Sequence, residues 1–357
     1  MKKIFILLGL MMAVLLVSAC TIGSNGDAED SGEVESSTDE SETAESDENT
    51  GSGEYTIGVS YTTPESGSTH IGMENFKELA EEKTNGEVVI ELYPNGQLYA
   101  SEREAIEAVQ SGSIEMTVAA SAPVVGFNND FLALDLPFIF PDHETAYEAL
   151  DGELGQTLLD GLPEVGLVGL AYGETGMRQM TNNSHPIESP EDLNGMQIRT
   201  MENDVHINTF DEYGASPSPF AFGELYNALQ QNIYDGMENP INLVDQMNFY
   251  EVQDYLTISN HAYTATVAFI NNNYFENLPE DIQTSLEEAA VESMDYQREV
   301  ARQQDEDGLE IIEDHMEINE LTEEQRQDFI EAAEPIFERY EEEIGTELME
   351  LTRSYAE

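Results

Sequence analysis

The runs YTIGVS, residues Tyr55–Ser60, and VVIELY, residues Val88–Tyr93, frame the stretch whose reading decides the fold. Both are rich in β-branched and aromatic residues and are bounded by turn formers, so both read as strands. Between them, a polar loop with Pro64 and Gly67 leads into a helical stretch over about His70–Glu82. Met73, Phe76, Leu79 and Ala80 recur there at helical spacing and give it one apolar face. Asn85-Gly86 turns the chain into the second strand, and Pro94-Asn95-Gly96 ends it. A second helix starts at Ser101, where Ser101 and Glu104 have the spacing of a capping box, and Ile114–Ala120 makes a third strand. This β-α-β-α-β rhythm predicts a parallel sheet flanked by helices.

A second cycle opens near Gly166 with an apolar strand and continues through the strand Met196–Arg199. Helices over Val205–Tyr213 and Gly223–Gln231 follow, then a long helix from Pro279 to about Ile312 and an amphipathic helical tail, Thr322–Leu351. The expected architecture is α/β: two lobes of periplasmic-binding-protein type, joined by crossing segments and a long connecting helix. Residues 54–175 with 265–304 are expected to form the first lobe. Residues 176–264 with 305–357 are expected to form the second lobe and the C-terminal helices. Such an interlobe cleft is the usual home of a small-molecule site.

The amino terminus reads as an export signal over residues 1–19. Lys2 and Lys3 precede an apolar run, Ile4–Val17, which is followed by Ser18, Ala19 and Cys20. The run is too short to span a bilayer stably. Val17-Ser18-Ala19-Cys20 resembles a bacterial lipobox, which implies cleavage before Cys20, lipidation of that cysteine and attachment to the membrane. Cys20 is the single cysteine of the chain, so disulfides, a thiol nucleophile and cysteine metal sites are excluded from the rest. Residues 20–53 are mostly Ser, Glu, Asp, Gly and Thr, a composition that cannot bury enough apolar surface to order itself. This segment is expected to be an extended acidic leash.

Charge limits the partners. The chain has 74 Asp and Glu against 12 Lys and Arg, and Lys77 and Lys83 are the only lysines after Lys3. Phosphate-rich surfaces would be repelled, so nucleic acid is not an expected partner. So many surface carboxylates suit strong salt, where the Debye length shrinks to ~3 Å at 1 M.

Enzyme signatures are missing from the sequence. His70, His143, His185, His206, His261 and His315 are scattered without metal-ligand spacing and read as surface or loop residues. There is no G-x-S-x-G elbow, no dinucleotide fingerprint and no phosphate loop, so no cofactor is expected. The scarce cations are more telling. From Glu104 to Gln297 there are more than thirty acidic side chains and two basic ones, Arg178 and Arg199. An arginine fork binds a carboxylate through two parallel hydrogen bonds and stays charged. The two readings of each arginine are a structural ion pair and a seat for an anion.

Several ordered runs resemble the solute-binding subunits of TRAP (tripartite ATP-independent periplasmic) transporters, in the group named for dicarboxylate binding. They are Tyr93–Leu98, Asp135–Phe140, Ala171-Tyr172 through Gly176-Met177-Arg178, and Pro190–Gly195 leading to Ile198-Arg199. Gly214–Pro217, Ala221–Tyr226 and Ala228–Gln231 through Asp235–Pro240 complete the set. The resemblance implies capture of a small organic acid outside the cytoplasm and delivery to a membrane permease driven by an ion gradient. Under it, Arg199 grips the ligand carboxylate, Arg178 holds the second basic position, Asn239 bonds the same carboxylate and Phe222 lines the pocket. Ser60, Ser121 and Tyr172 fall where first-lobe pocket residues of the family lie. Two departures matter: Met237 replaces a Gln common among relatives, and Ala120 stands where sialic-acid binders have Glu. A ligand sensor feeding a receptor kinase and a secreted enzyme on a similar scaffold are the alternative functions.

Overall fold

The computed structural model describes residues 53–356. The expected signal, Cys20 and the acidic segment up to residue 52 lie outside the described residues. The chain first lays down β1 (Tyr55–Ser60), α1 (Ser68–Lys83), β2 (Val88–Tyr93), α2 (Glu102–Gln110) and β3 (Met116–Ala120). Two short helices, α3 (His143–Asp151) and α4 (Glu153–Asp160), precede the long strand β4 (Leu167–Met177). Then come β5 (Gln179–Asn182), β6 (Gln197–Thr200), α5 (Asp204–Glu212), β7 (Ser216–Pro219), α6 (Leu225–Gln230), β8 (Gly236–Asn239) and α7 (Ile241–Gln246). The remainder is β9 (Tyr255–Ile258), β10 (Tyr263–Asn271), α8 (Asn272–Glu276), α9 (Glu280–Ile312), β11 (Glu317–Glu320), α10 (Glu323–Ile344) and α11 (Thr346–Ala356).

The strands form two sheets, one with order β2-β1-β3-β10-β4 and the other with order β11-β9-β5-β8-β6-β7. As the rhythm predicts, β1 runs parallel to β2 and β3. The first sheet is nevertheless mixed, because β10 is antiparallel to both β3 and β4. The cause is the path of the chain: it leaves the first sheet at the end of β4 and returns on the neighbouring β10, and adjacent strands of opposite direction need no crossover helix. Every residue of β10 is buried, as expected for a central strand covered on both faces.

Two crossings therefore lie side by side, β4 to β5 and β9 to β10, and Arg178 sits at the first of them. Its backbone N–H donates to the Ala262 carbonyl at 2.8 Å, tying the outgoing segment to the returning one. Gly176 has φ +129°, and a Cβ there would meet the Pro240 ring at 3.1 Å, so the crossing needs glycine at this point. The third connection is α9, whose 33 residues extend about 50 Å at 1.5 Å per residue. Its first half buries Ile282, Leu286, Ala289, Ala290 and Met294 in the core of the first sheet, and its last residue, Ile312, joins the core of the second. Gln297 on α9 both accepts from the Glu174 N–H and donates to the Glu174 carbonyl, each at 2.7 Å, which fixes β4 against the helix.

The helical tail gains a break, and the expectation for the histidines needs correction. The helical tail is divided: Gly345, at φ +84°, ends α10, and α11 packs on α3 and α4 beside the first sheet. Met349 lies in the same apolar cluster as Leu150 and Leu154, so burial of its apolar face pulls α11 away from the second sheet. The histidines are not all superficial either, since His206 and His261 are buried. His206 meets the Asp135 carboxylate at 3.2 Å, and Asn203 donates to that same carboxylate at 2.8 Å, which links α5 to the turn before α3. Among the described residues, no helix is long and apolar enough to cross a membrane.

Candidate functional site

Between the two sheets lies a cavity of about 610 Å³ of empty volume, part of it open to solvent. The first sheet contributes the segment after β1, with Thr62 and Thr63, and the ends of β3 and β10. The second contributes Arg199 from β6, Asn239 from β8, Phe222 and the start of α7. Arg178 also lines it, so the two cations singled out by their isolation in the sequence reach one wall.

Their surroundings differ. Arg178 is 1% exposed and donates through Nε to the carboxylate of Glu238, which is fully buried. Its Nη2 donates to the Glu238 carbonyl at 2.6 Å and to Asn239 Oδ1 at 3.2 Å, and Nη1 reaches Thr264 Oγ1 at 3.3 Å. Burial alone would push the Glu238 pKa up, but the Arg178 charge overrides it and holds Glu238 well below the usual carboxylate range. Arg178 is a partnered ion.

Arg199 is 3% exposed and has no carboxylate at ion-pair distance among the described residues. Its Nε and Nη2 both donate to the Phe220 carbonyl, at 2.9 and 2.7 Å, and its Nη1 has no hydrogen-bond partner. Burial pushes its pKa down to about 10, and the Arg178 charge adds to that, while Glu238 and Glu102 pull the other way. A guanidinium removed from water without an anion is costly, and an anion entering the cavity would relieve that cost. The Phe220 carbonyl fixes the plane of the fork and leaves the Nη1 amino group without a partner.

Asn239 accepts from Arg178 through Oδ1, and its Nδ2 donates only to the weakly accepting Sδ of Met237, at 3.1 Å. That donor can be drawn to a stronger acceptor. Phe222 lines the cavity and also packs edge-to-face on Phe249, with ring centroids 6.2 Å apart. It serves wall and core together.

The comparisons with known proteins point one way. Residues 59–343 match the family described as bacterial extracellular solute-binding protein, family 7. The chain belongs to that family. It is thereby a solute-binding subunit of the TRAP transporter type. It is 37% identical over 279 residues to the C4-dicarboxylate-binding periplasmic protein DctP of Rhodobacter capsulatus, covering 77% of this chain and 83% of that protein. The sugar acid binding protein DctPAm of Advenella mimigardefordensis, solved with galactonate, superposes with a TM-score of 0.82 at 35% identity, over 84% of this chain and 97% of the other. A TRAP periplasmic solute-binding protein of Sulfurospirillum deleyianum with bound succinate gives a TM-score of 0.80 at 32% identity, over 85% and 99%. The two-lobed architecture expected from the sequence is that of these structures.

Within this family member, four of the seven residues expected at the pocket line the cavity: Arg178, Arg199, Phe222 and Asn239. Tyr172, Ser60 and Ser121 are absent from its lining. Tyr172 instead packs toward α4, where its hydroxyl donates to the Gly155 carbonyl at 3.0 Å. The hydroxyls of Ser60 and Ser121 are buried without partners. In each case a near neighbour lines the cavity: Thr175 on β4, Thr62 after β1, and Ala120 on β3.

Glu102 is a wall residue the sequence did not reveal. It stands at the start of α2 and accepts from the Ala120 N–H at 3.0 Å. Burial raises its pKa against the pull of that N–H and of Arg199. Only its position beside the scarce arginines distinguishes it from dozens of other carboxylates. Below the crossing strands, His143, Glu174 and Asp305 bring ligand-type atoms within 4.8 Å of one another. Arg302 already supplies a cation there: its Nη1 donates to His143 Nε2 and lies 3.5 Å from Asp305 Oδ2. His143 is then left to donate through Nδ1 to Glu174, at 3.0 Å.

Proposed function

We propose that Arg199 is the seat of a ligand carboxylate and that the chain captures a small organic acid in the cavity for a TRAP permease in the membrane. The observation that carries this reading is a buried guanidinium with an unpartnered N–H and no counter-ion, on the wall of an interlobe cavity. Relatives named for C4-dicarboxylate binding, and related structures holding galactonate and succinate, support a carboxylate as the common ligand group. Charge-assisted hydrogen bonds are worth ~1.5–3 kcal/mol each. Micromolar binding needs about 8 kcal/mol, so one such anchor with apolar contacts to Phe222 and Met201 suffices. The partnered Arg178 holds Asn239 in place and shapes the field around the anion.

The reading includes binding without turnover, in keeping with a family described as solute-binding proteins, and Glu238, locked to Arg178, is not a free base. It also includes a lipid on Cys20 and an acidic leash that holds the folded part near the permease, in an external medium salty enough to screen the carboxylate surface. Mass spectrometry of the purified mature chain tests the anchor: a cysteine carrying lipid on its sulfur and on the new amino terminus is expected, and an unmodified Cys20 inside a longer chain contradicts it.

Ligand class is tested by melting the full chain in molar salt with a panel of organic acids and their uncharged amides. A ligand at 100 times its Kd stabilises by about 2.7 kcal/mol. At least one acid is expected to raise Tm while its amide does not. Equal stabilisation by acid and amide contradicts carboxylate capture.

A further inference from the structure

The wall offers one unneutralised cation, and the rest of its polarity is hydroxyl, amide and carboxylate. Arg178 is bonded to Glu238, leaving Arg199 as the only arginine or lysine on the wall without an acidic partner. Glu102 is a wall carboxyl, so a second ligand carboxylate would meet like charge and no free cation. Four further wall atoms are buried and without a partner: Thr62 Oγ1, Thr63 Oγ1, Asn242 Oδ1 and Glu174 Oε1.

Asn242 sets the sign of the hydrogen bond required. Its Nδ2 donates to the Thr175 carbonyl at 3.1 Å, and its backbone N–H donates to Asp305 Oδ1 at 2.8 Å. The amide is thereby oriented with Oδ1 as the unused atom, which can only accept. A ligand carboxylate cannot satisfy it, whereas a ligand hydroxyl can donate to it and to Glu102. The two threonine hydroxyls accept or donate as a ligand hydroxyl requires.

From this complement we infer that the ligand is a polyhydroxylated monocarboxylate, a sugar acid: one carboxylate on Arg199 and hydroxyls toward Asn242, Thr62 and Thr63. The inference rests on the carboxylate reading of the same cavity and goes beyond it by assigning the remainder of the ligand. A site built to hydrogen-bond a hydroxyl strongly rejects an analogue that lacks it, because its buried polar atoms are then left unpaired.

Calorimetry on the full chain in molar salt tests this with galactonate, erythronate, succinate, butyrate and glutamate as probes. A sugar acid is expected to bind at least 100-fold more tightly than succinate, butyrate or glutamate. Thr62→Val and Asn242→Leu should each weaken the sugar acid tenfold or more. Neither should change butyrate affinity by more than twofold, which separates loss of a hydroxyl contact from general damage to the cavity. Thr62→Val is nearly isosteric and keeps the test usable should Asn242→Leu fold poorly. Tighter binding of succinate overturns the inference, as does tighter binding of glutamate, whose ammonium would answer Glu102. In either case binding that still requires Arg199 leaves the carboxylate reading standing. Binding of these acids that ignores Arg199 defeats both.

Discussion

Arg178, just before β5, and Arg199, on β6, flank β8 on one cavity wall, and both are withdrawn from water. One is bonded to a buried carboxylate, a carbonyl, an amide and a hydroxyl. The other is bonded to a single carbonyl and keeps a free N–H. Equal burial with unequal partnering separates a guanidinium that holds the structure from one prepared for a ligand. In a chain that kept so few cations, both roles are reasons for retention, and only the partners distinguish them.

Mutation should expose the difference as unequal effects on stability. Arg178→Ala removes one member of a buried pair and leaves Glu238 charged and uncompensated, so a loss of about 3–5 kcal/mol is expected in denaturant unfolding. A loss below about 1 kcal/mol would show that Glu238 finds relief elsewhere and would dissolve the contrast.

The carboxylates offer a sharper version of the same comparison. Glu238 has a fully buried cation beside it, whereas Asp305 has Arg302, whose side chain is 39% exposed. Burial accordingly pushes the Asp305 pKa up to about 7, with Glu174 adding to the rise and the Asn242 N–H, Arg302 and His143 opposing it. A carboxyl whose pKa is raised on folding contributes stability that is complete below the ordinary carboxylate pKa and is lost as pH climbs through the folded value. This chain should therefore lose stability between about pH 4 and 7 through Asp305. Asp305→Asn retains an oxygen for the Asn242 N–H and should flatten that slope, gaining on the order of 1–3 kcal/mol at pH 8. Parallel pH–stability curves for the two proteins would refute the assignment.

The smallest expected effect belongs to Arg199. Arg199→Met removes a desolvated charge that no protein anion compensates, so unliganded stability should change by less than ~1 kcal/mol, with a slight gain permitted. A loss as large as that of Arg178→Ala would make the two arginines equivalent structural ions.

How much of this was legible follows from the physics of each signal. β1 to β3 and α9 announce themselves through periodicity, as each is long or repetitive enough to show its face. The four-residue strands β5, β6, β7, β8, β9 and β11 are too short for alternation to rise above chance, and of these only β6 is legible in the sequence. The direction of β10 is a property of the crossing path, which no local pattern encodes. Arg178 and Arg199 could be found because cations are scarce, and Glu102 could not because carboxylates are not. Tyr172, Ser60 and Ser121 missed the cavity by one to three residues. In strands that shift reverses the face or moves the side chain off the rim.

The most direct test is a calorimetric titration of Arg199→Met with an organic acid that saturates the wild-type chain, after both proteins are shown to melt alike. Affinity at least 100-fold weaker is expected, with no resolvable heat at the wild-type saturating concentration. A Kd within threefold of wild type would contradict the assignment and place the anion elsewhere.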